Sequence, residues 1–141
     1  MKLDLTSLRE ALAALEKSLH FLSSEMAKDT DLREQFRNSA IQCFEFTHEL
    51  AFKMLKRQLE RMTADPASVD TMAYMDIVRS GAEAGLVADV ARFRDYREKR
   101  NITSHTYDAA QAEKIASVLE DFRKDVRHLL VELEKRNRED D

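Results

Sequence analysis

Two glycines and one proline in 141 residues leave this chain few places to turn sharply. An all-β protein needs such residues at nearly every turn, so the sequence points to helices joined by rare breaks. The hydrophobic spacing agrees. Leu5, Leu8, Leu12, Leu15, Leu19, Leu22 and Met26 alternate steps of three and four, which draws one apolar seam along a first helix. Ser7 with Glu10 reads as a capping box near its start. The pattern breaks over residues 27–30, and Asp31 with Glu34 reads as a second capping box. It opens a helix predicted to run to about Met62, roughly 45 Å at ~1.5 Å per residue. Its main seam is Ile41, Phe44, His48, Ala51, Leu55, Leu59 and Met62, and Cys43, Phe46 and Leu50 form a second apolar line. A helix apolar on two sides is central, or packs against another chain as well.

Residues 63–69, with Pro66, are predicted as a loop, and a short helix follows over 71–82 with Asp70 as its cap. Gly81 and Gly85 mark a break. A further helix starts near Asp89 and turns Val90, Phe93 and Tyr96 inward. Residues 101–107 are polar and non-periodic. Asp108 with Gln111 caps a last helix whose seam is Ile115, Leu119, Phe122, Val126, Leu129 and Leu133. The charged tail, 136–141, is expected to fray. The predicted fold is all-α: one domain over 1–141, an antiparallel bundle of three long and two short helices.

Composition narrows the function classes. A lone cysteine, Cys43, excludes an internal disulfide framework and a cysteine-rich zinc site, and it reads as a small core residue. No apolar run approaches the ~18 residues of a membrane span and no secretory h-region opens the chain, so a cytoplasmic protein off the membrane is expected. The net charge of −4 makes the whole chain no polyanion magnet. Locally, Arg92, Arg94, Arg97, Lys99 and Arg100 face only Asp95 and Glu98 in sequence. That run is either a solvated helix face or a local attraction for phosphate.

Glu45 and His48 have the Glu-x-x-His spacing of bundle di-iron sites, and Asp125 with His128 imitates it. Periodicity separates the two. His48 falls on an apolar seam, whereas His128 aligns with Asp121, Asp125 and Glu132, opposite the Leu/Phe seam of its helix. No metal and no cofactor are therefore expected. His48 reads as a core or interface histidine, and Glu49 as a polar-face residue able to pair with Lys53.

The stretch Arg100, Asn101, Thr103, Ser104, His105, Thr106 and Tyr107 is different, because it concentrates polar side chains with almost no apolar filler. Arg100 shares a helical face with Phe93 and Tyr96, so its guanidinium is directed toward protein, one turn before a histidine, and placed to grip an anion. On chemistry alone the cluster is a site or an ordinary surface loop.

Arg100 to Tyr107 resembles the R-x4-H-x-Y signature of HEPN domains encoded beside a minimal nucleotidyltransferase. Residues 36–55 resemble the long second helix of the same subfamily, and Gly85-Leu86 also fits. At His48 and Phe52 the chain departs from relatives, which often carry Tyr and Trp there. The likeness spans residues 5–135 and implies a toxin of a type VII-like toxin–antitoxin pair: a metal-independent endoribonuclease restrained by its nucleotidyltransferase partner. Arg100 and His105 would be catalytic, Asn101 and Ser104 supporting, and Tyr107 the acceptor of AMP from the partner. Cleaving RNA without metal takes a base, an acid and a cation. An imidazole, with its ordinary pKa near ~6.5, serves as either base or acid. One chain offers one such histidine, so this route implies a homodimer. The competing expectation is a non-catalytic subunit that binds a nucleotide or other substrate for a two-component nucleotidyltransferase.

Overall fold

The apolar seams become helix contacts. The computed structural model describes residues 2–140 and consists of α1 (Thr6–Leu22), α2 (Thr30–Arg61), α3 (Pro66–Asp70), α4 (Tyr74–Glu83), α5 (Val90–Asn101), α6 (Ala109–Ala116) and α7 (Leu119–Glu139). Short 3-10 turns stand at Glu25–Lys28 and Thr103–His105, and no strand occurs among the described residues. The three long helices, α1, α2 and α7, pack on one another. Leu12, Leu15, Phe44, Phe122, Val126 and Leu129 of their seams are fully buried. Phe122 joins three elements: its ring meets Phe44 of α2 edge-on at 4.7 Å and Tyr96 of α5 at 5.1 Å.

The short helices number four rather than two. Residues 66–69, expected as loop, form α3 together with Asp70, with Pro66 at its first position, where a missing N–H costs nothing, and Val69 buried. The last predicted helix is two, because the chain breaks at Ser117 and Val118. The Ser117 hydroxyl donates to the Lys114 carbonyl at 2.7 Å, a local bond that competes with helix continuation. Helix α7 continues into the tail as far as Glu139. Asn137 accepts from the Leu3 N–H at 3.1 Å and donates to the Leu3 carbonyl at 2.9 Å, and Arg61 bonds both Asn137 and Asp140. Asp141 lies outside the described residues.

Caps also moved. Asp29, not Asp31, opens α2, accepting from the N–H groups of Asp31 and Leu32. At α1 the Asp4 carboxylate takes the Thr6 N–H at 3.0 Å, in place of a Ser7–Glu10 box. Asp70 ends α3 and caps nothing, since α4 begins after Ala73. Asp108 caps α6 as expected, and Asp89, near which a helix was expected to start, caps α5. Gly81 lies inside α4, close against α2: a Cβ there would stand 2.9 Å from Leu55 and Val87. The break belongs to Gly85 alone. With φ of +79°, it lets the Leu86 N–H reach the Gly81 carbonyl at 2.8 Å while its own N–H reaches Ala82 at 3.1 Å, the double bond of a Schellman end.

Candidate functional site

The site is built on α5. Asp89 starts this helix by accepting the Arg92 N–H at 3.0 Å. Its first turns are then pinned to α7. Asp125 is 3% exposed and accepts from Arg92 Nε at 2.8 Å, Arg92 Nη2 at 2.6 Å and the Tyr96 hydroxyl at 2.5 Å. Periodicity set Asp125 on an outward face; instead it is a buried anchor, because α5 crosses over it. The Tyr96 phenol is held well above its ordinary pKa by burial and by the adjacent carboxylate, so it stays a donor. His128 is turned to the Gly85 carbonyl, 3.0 Å from its Nε2, and no cluster of three or more metal-type ligands forms among the described residues.

Two turns beyond the anchor stands Arg100, whose side chain is 39% exposed. Its Nη1 donates to Thr103 Oγ1 at 3.0 Å, and that hydroxyl donates back to the Arg100 carbonyl at 2.9 Å. Glu45 of α2 lies 3.7 Å from the same guanidinium. Thr103 is 4% exposed and is the buried bracket of the loop, while Asn101 and Ser104, the supporting residues expected from the sequence, are exposed. The 3-10 turn then carries His105 outward, and its Nδ1 lies 3.1 Å from the Tyr107 hydroxyl. Tyr107 is 84% exposed. Arg100 and His105 are brought to one loop, although no hydrogen bond links them directly among the described residues.

The basic run of α5 is sorted by the fold. Arg92 serves the anchor, and Lys99 pairs with Asp95 at 2.6 Å. Arg97 instead places its guanidinium 4.9 Å over the Tyr74 ring. The Tyr74 hydroxyl donates to the Phe93 carbonyl at 3.0 Å, so its oxygen accepts from His48 Nε2, also at 3.0 Å. Burial, then Arg100, then Arg97 depress His48 to a pKa of about 4. It is therefore a neutral imidazole carrying its proton on Nε2. The expected Glu49–Lys53 pair is absent.

A family model described as nucleotidyltransferase substrate binding protein like matches residues 3–135. The chain belongs to this family. This substrate-binding-protein-like chain is 34% identical over 142 residues to a probable ribonuclease HepT of Haemophilus influenzae, covering 99% of this chain and 97% of that protein. It also superposes on the solved structure of HI0074 from Haemophilus influenzae, described as the fold of a substrate binding domain of a nucleotidyltransferase. The TM-score is 0.87 at 33% identity, over 93% of this chain and 99% of that one. These likenesses support its place among the HEPN proteins paired with minimal nucleotidyltransferases. No helix among the described residues is long and apolar enough to cross a membrane.

Proposed function

We propose that this family member is the HEPN toxin of a toxin–antitoxin pair, a metal-independent endoribonuclease that acts as a homodimer in the cytoplasm. The observation that carries the reading is the exposed His105–Tyr107 contact, 3.1 Å from Nδ1 to hydroxyl, at the foot of a helix that presents Arg100. It is supported by the likeness to a probable ribonuclease HepT. In the reaction one histidine takes the proton of an RNA 2′-hydroxyl, whose oxygen attacks phosphorus. The 5′-oxygen leaves with a proton from the second copy's histidine, giving a 2′,3′-cyclic phosphate. Arg100 stabilises the extra negative charge of the phosphorane. Arg100→Ala and His105→Ala are each expected to slow cleavage about 10²–10⁴-fold, with wild-type activity unchanged by EDTA. Full activity in the His105→Ala protein would remove the assignment.

Restraint is proposed at Tyr107. Its hydroxyl attacks the α-phosphorus of ATP in a nucleotidyltransferase partner, the phosphoryl–pyrophosphate bond breaks, pyrophosphate departs, and the phenolic proton passes to a base such as the adjacent His105 Nδ1. Before modification, the phenol oxygen can accept from Nδ1–H, which leaves Nε2 unprotonated to act as base in one copy and protonated, in the imidazolium, to act as acid in the other. Afterwards that oxygen is blocked as a phosphodiester of about one negative charge, which competes for Arg100. Intact mass after incubation with the partner and Mg-ATP is expected to rise by one or more AMP units. An equal rise in Tyr107→Phe would place the modification elsewhere.

The solved relative's description as a substrate binding domain of a nucleotidyltransferase favours a second reading, a non-catalytic subunit that holds a substrate for the transferase. Binding of the partner without any RNA cleavage by the wild type would select it.

A further inference from the structure

Beside Arg100, on the side of α5 facing α2 and α4, lies an open cleft of about 480 Å³. That is within the roughly 300–1,000 Å³ of small-ligand sites. We infer that this cleft, walled by His48, Phe52, Tyr74, Arg97, Arg100 and Asn101, holds one nucleotide of a single-stranded RNA, the base against the aromatic wall and its phosphate on the two arginines. The inference rests on the ribonuclease reading for what happens next to the cleft, but the cleft's chemistry stands on its own residues.

The aromatic wall is rigid. Tyr74 has both hydrogen-bonding capacities of its hydroxyl committed, one to Phe93 and one to His48, so it takes no part in ligand hydrogen bonding and serves as a fixed platform. Phe52 stacks on it at 4.9 Å with 27° between the rings and is only partly buried. Every nucleobase offers a π-face, so stacking against such rings selects single strands whose bases are free. The cationic side is free too. Arg97 makes no ion pair among the described residues; its one partner is the Tyr74 ring, which orients the guanidinium and leaves its N–H donors unspent. Arg100 commits Nη1 to Thr103 at 3.0 Å and to a 3.7 Å approach to Glu45, and its other N–H groups have no hydrogen-bond partner among the described residues. Glu49, the single carboxylate on the lining, also lacks an ion-pair partner among the described residues, and is fit to accept from ribose hydroxyls or the N–H groups of a base edge. With Glu45 bordering Arg100 the local charge is balanced, so what favours a phosphate-bearing ligand is the set of uncommitted guanidinium N–H donors on the lining rather than a net positive charge.

The test uses the full chain and a six-residue 2′-O-methyl oligonucleotide bearing one 2-aminopurine, which cannot be cleaved because its 2′-oxygens are blocked. Wild-type protein is expected to bind it and quench the 2-aminopurine by stacking. Arg97→Ala and Phe52→Ala should each weaken binding about 5- to 150-fold, the range of a lost charge-assisted phosphate contact or base–aromatic stack, while Phe52→Tyr retains it. Because Phe52 also touches the core, Arg97→Ala, an exposed change, decides the matter should Phe52→Ala unfold. No binding by the wild type, binding without quenching, or affinity within twofold of wild type in Arg97→Ala overturns the inference. If those results coincide with cleavage that depends on His105, the ribonuclease reading survives alone. If the wild type cleaves nothing yet binds the probe through Arg97, that reading falls and the nucleotide cleft remains.

Discussion

His48 is lodged among the rings of Phe44, Tyr74 and Phe122, with Arg97 and Arg100 close by, and its pKa of about 4 has a consequence for acid stability. In the unfolded chain a histidine takes up its proton near ~6.5, whereas in the folded chain His48 resists until about pH 4. Between those values the unfolded state binds more protons, so stability falls as the pH is lowered through that window and levels off below it. The loss from this group is at most about 3.5 kcal/mol at ~1.4 kcal/mol per unit. Urea titrations at pH 7 and pH 4.5 should show His48→Gln losing less stability over that interval than the wild type; an identical loss would exclude His48 as the source. At this scale sequence legibility was uneven. Asp108 was readable as a cap because it directly precedes a helix, and Asp89 as a helix start, while Asp29 was hidden behind Asp31, two residues on and of the same type. The inward turn of the Thr103 hydroxyl was not legible, because only the fold decides which hydroxyl of the loop is buried.

Among the elements, the join of α5 to α7 carries the most consequence. Asp125 gathers Arg92 and the Tyr96 hydroxyl in one buried cluster. Removing the carboxylate strands the Tyr96 donor, but Arg92 is 41% exposed and can turn to water, which lowers the cost of the broken pair. Asp125→Ala is therefore expected to lose about 2–3 kcal/mol, and Tyr96→Phe about 1–2 kcal/mol. Chemical denaturation of both variants measures this, and a loss below about 0.5 kcal/mol in Asp125→Ala would show that the cluster does not hold α5. Nothing in the periodicity revealed the cluster. Asp125 sits where a polar residue belongs on an isolated amphipathic helix, and only the crossing of α5 buries it. Gly85 was legible for the opposite reason: a left-handed residue at a helix end is a local requirement.

For the whole molecule, the three long seams were enough to read the bundle, since each buries one apolar stripe and the stripes meet in one core. What one chain leaves uncovered bears on assembly. Leu32 and Phe46 of α2 are 42% and 39% exposed, and Tyr107 more so. The proposed mechanism needs two copies of His105. Light scattering at micromolar concentration is expected to give twice the chain mass of 16.3 kDa; a monomer would remove both the dimer and the shared site. The anchor at Asp125 has a mechanical side as well. Helix α5 is held by Asp125 at Arg92 and at Tyr96, and Arg100 stands about 6 Å beyond the second hold at ~1.5 Å per residue. On a lever of that length, a rotation of about 10° swings the tip by about 1 Å, a displacement that can cost a catalytic group about 10²-fold in rate. The stiffness of one buried carboxylate thus sets the aim of a guanidinium it never touches.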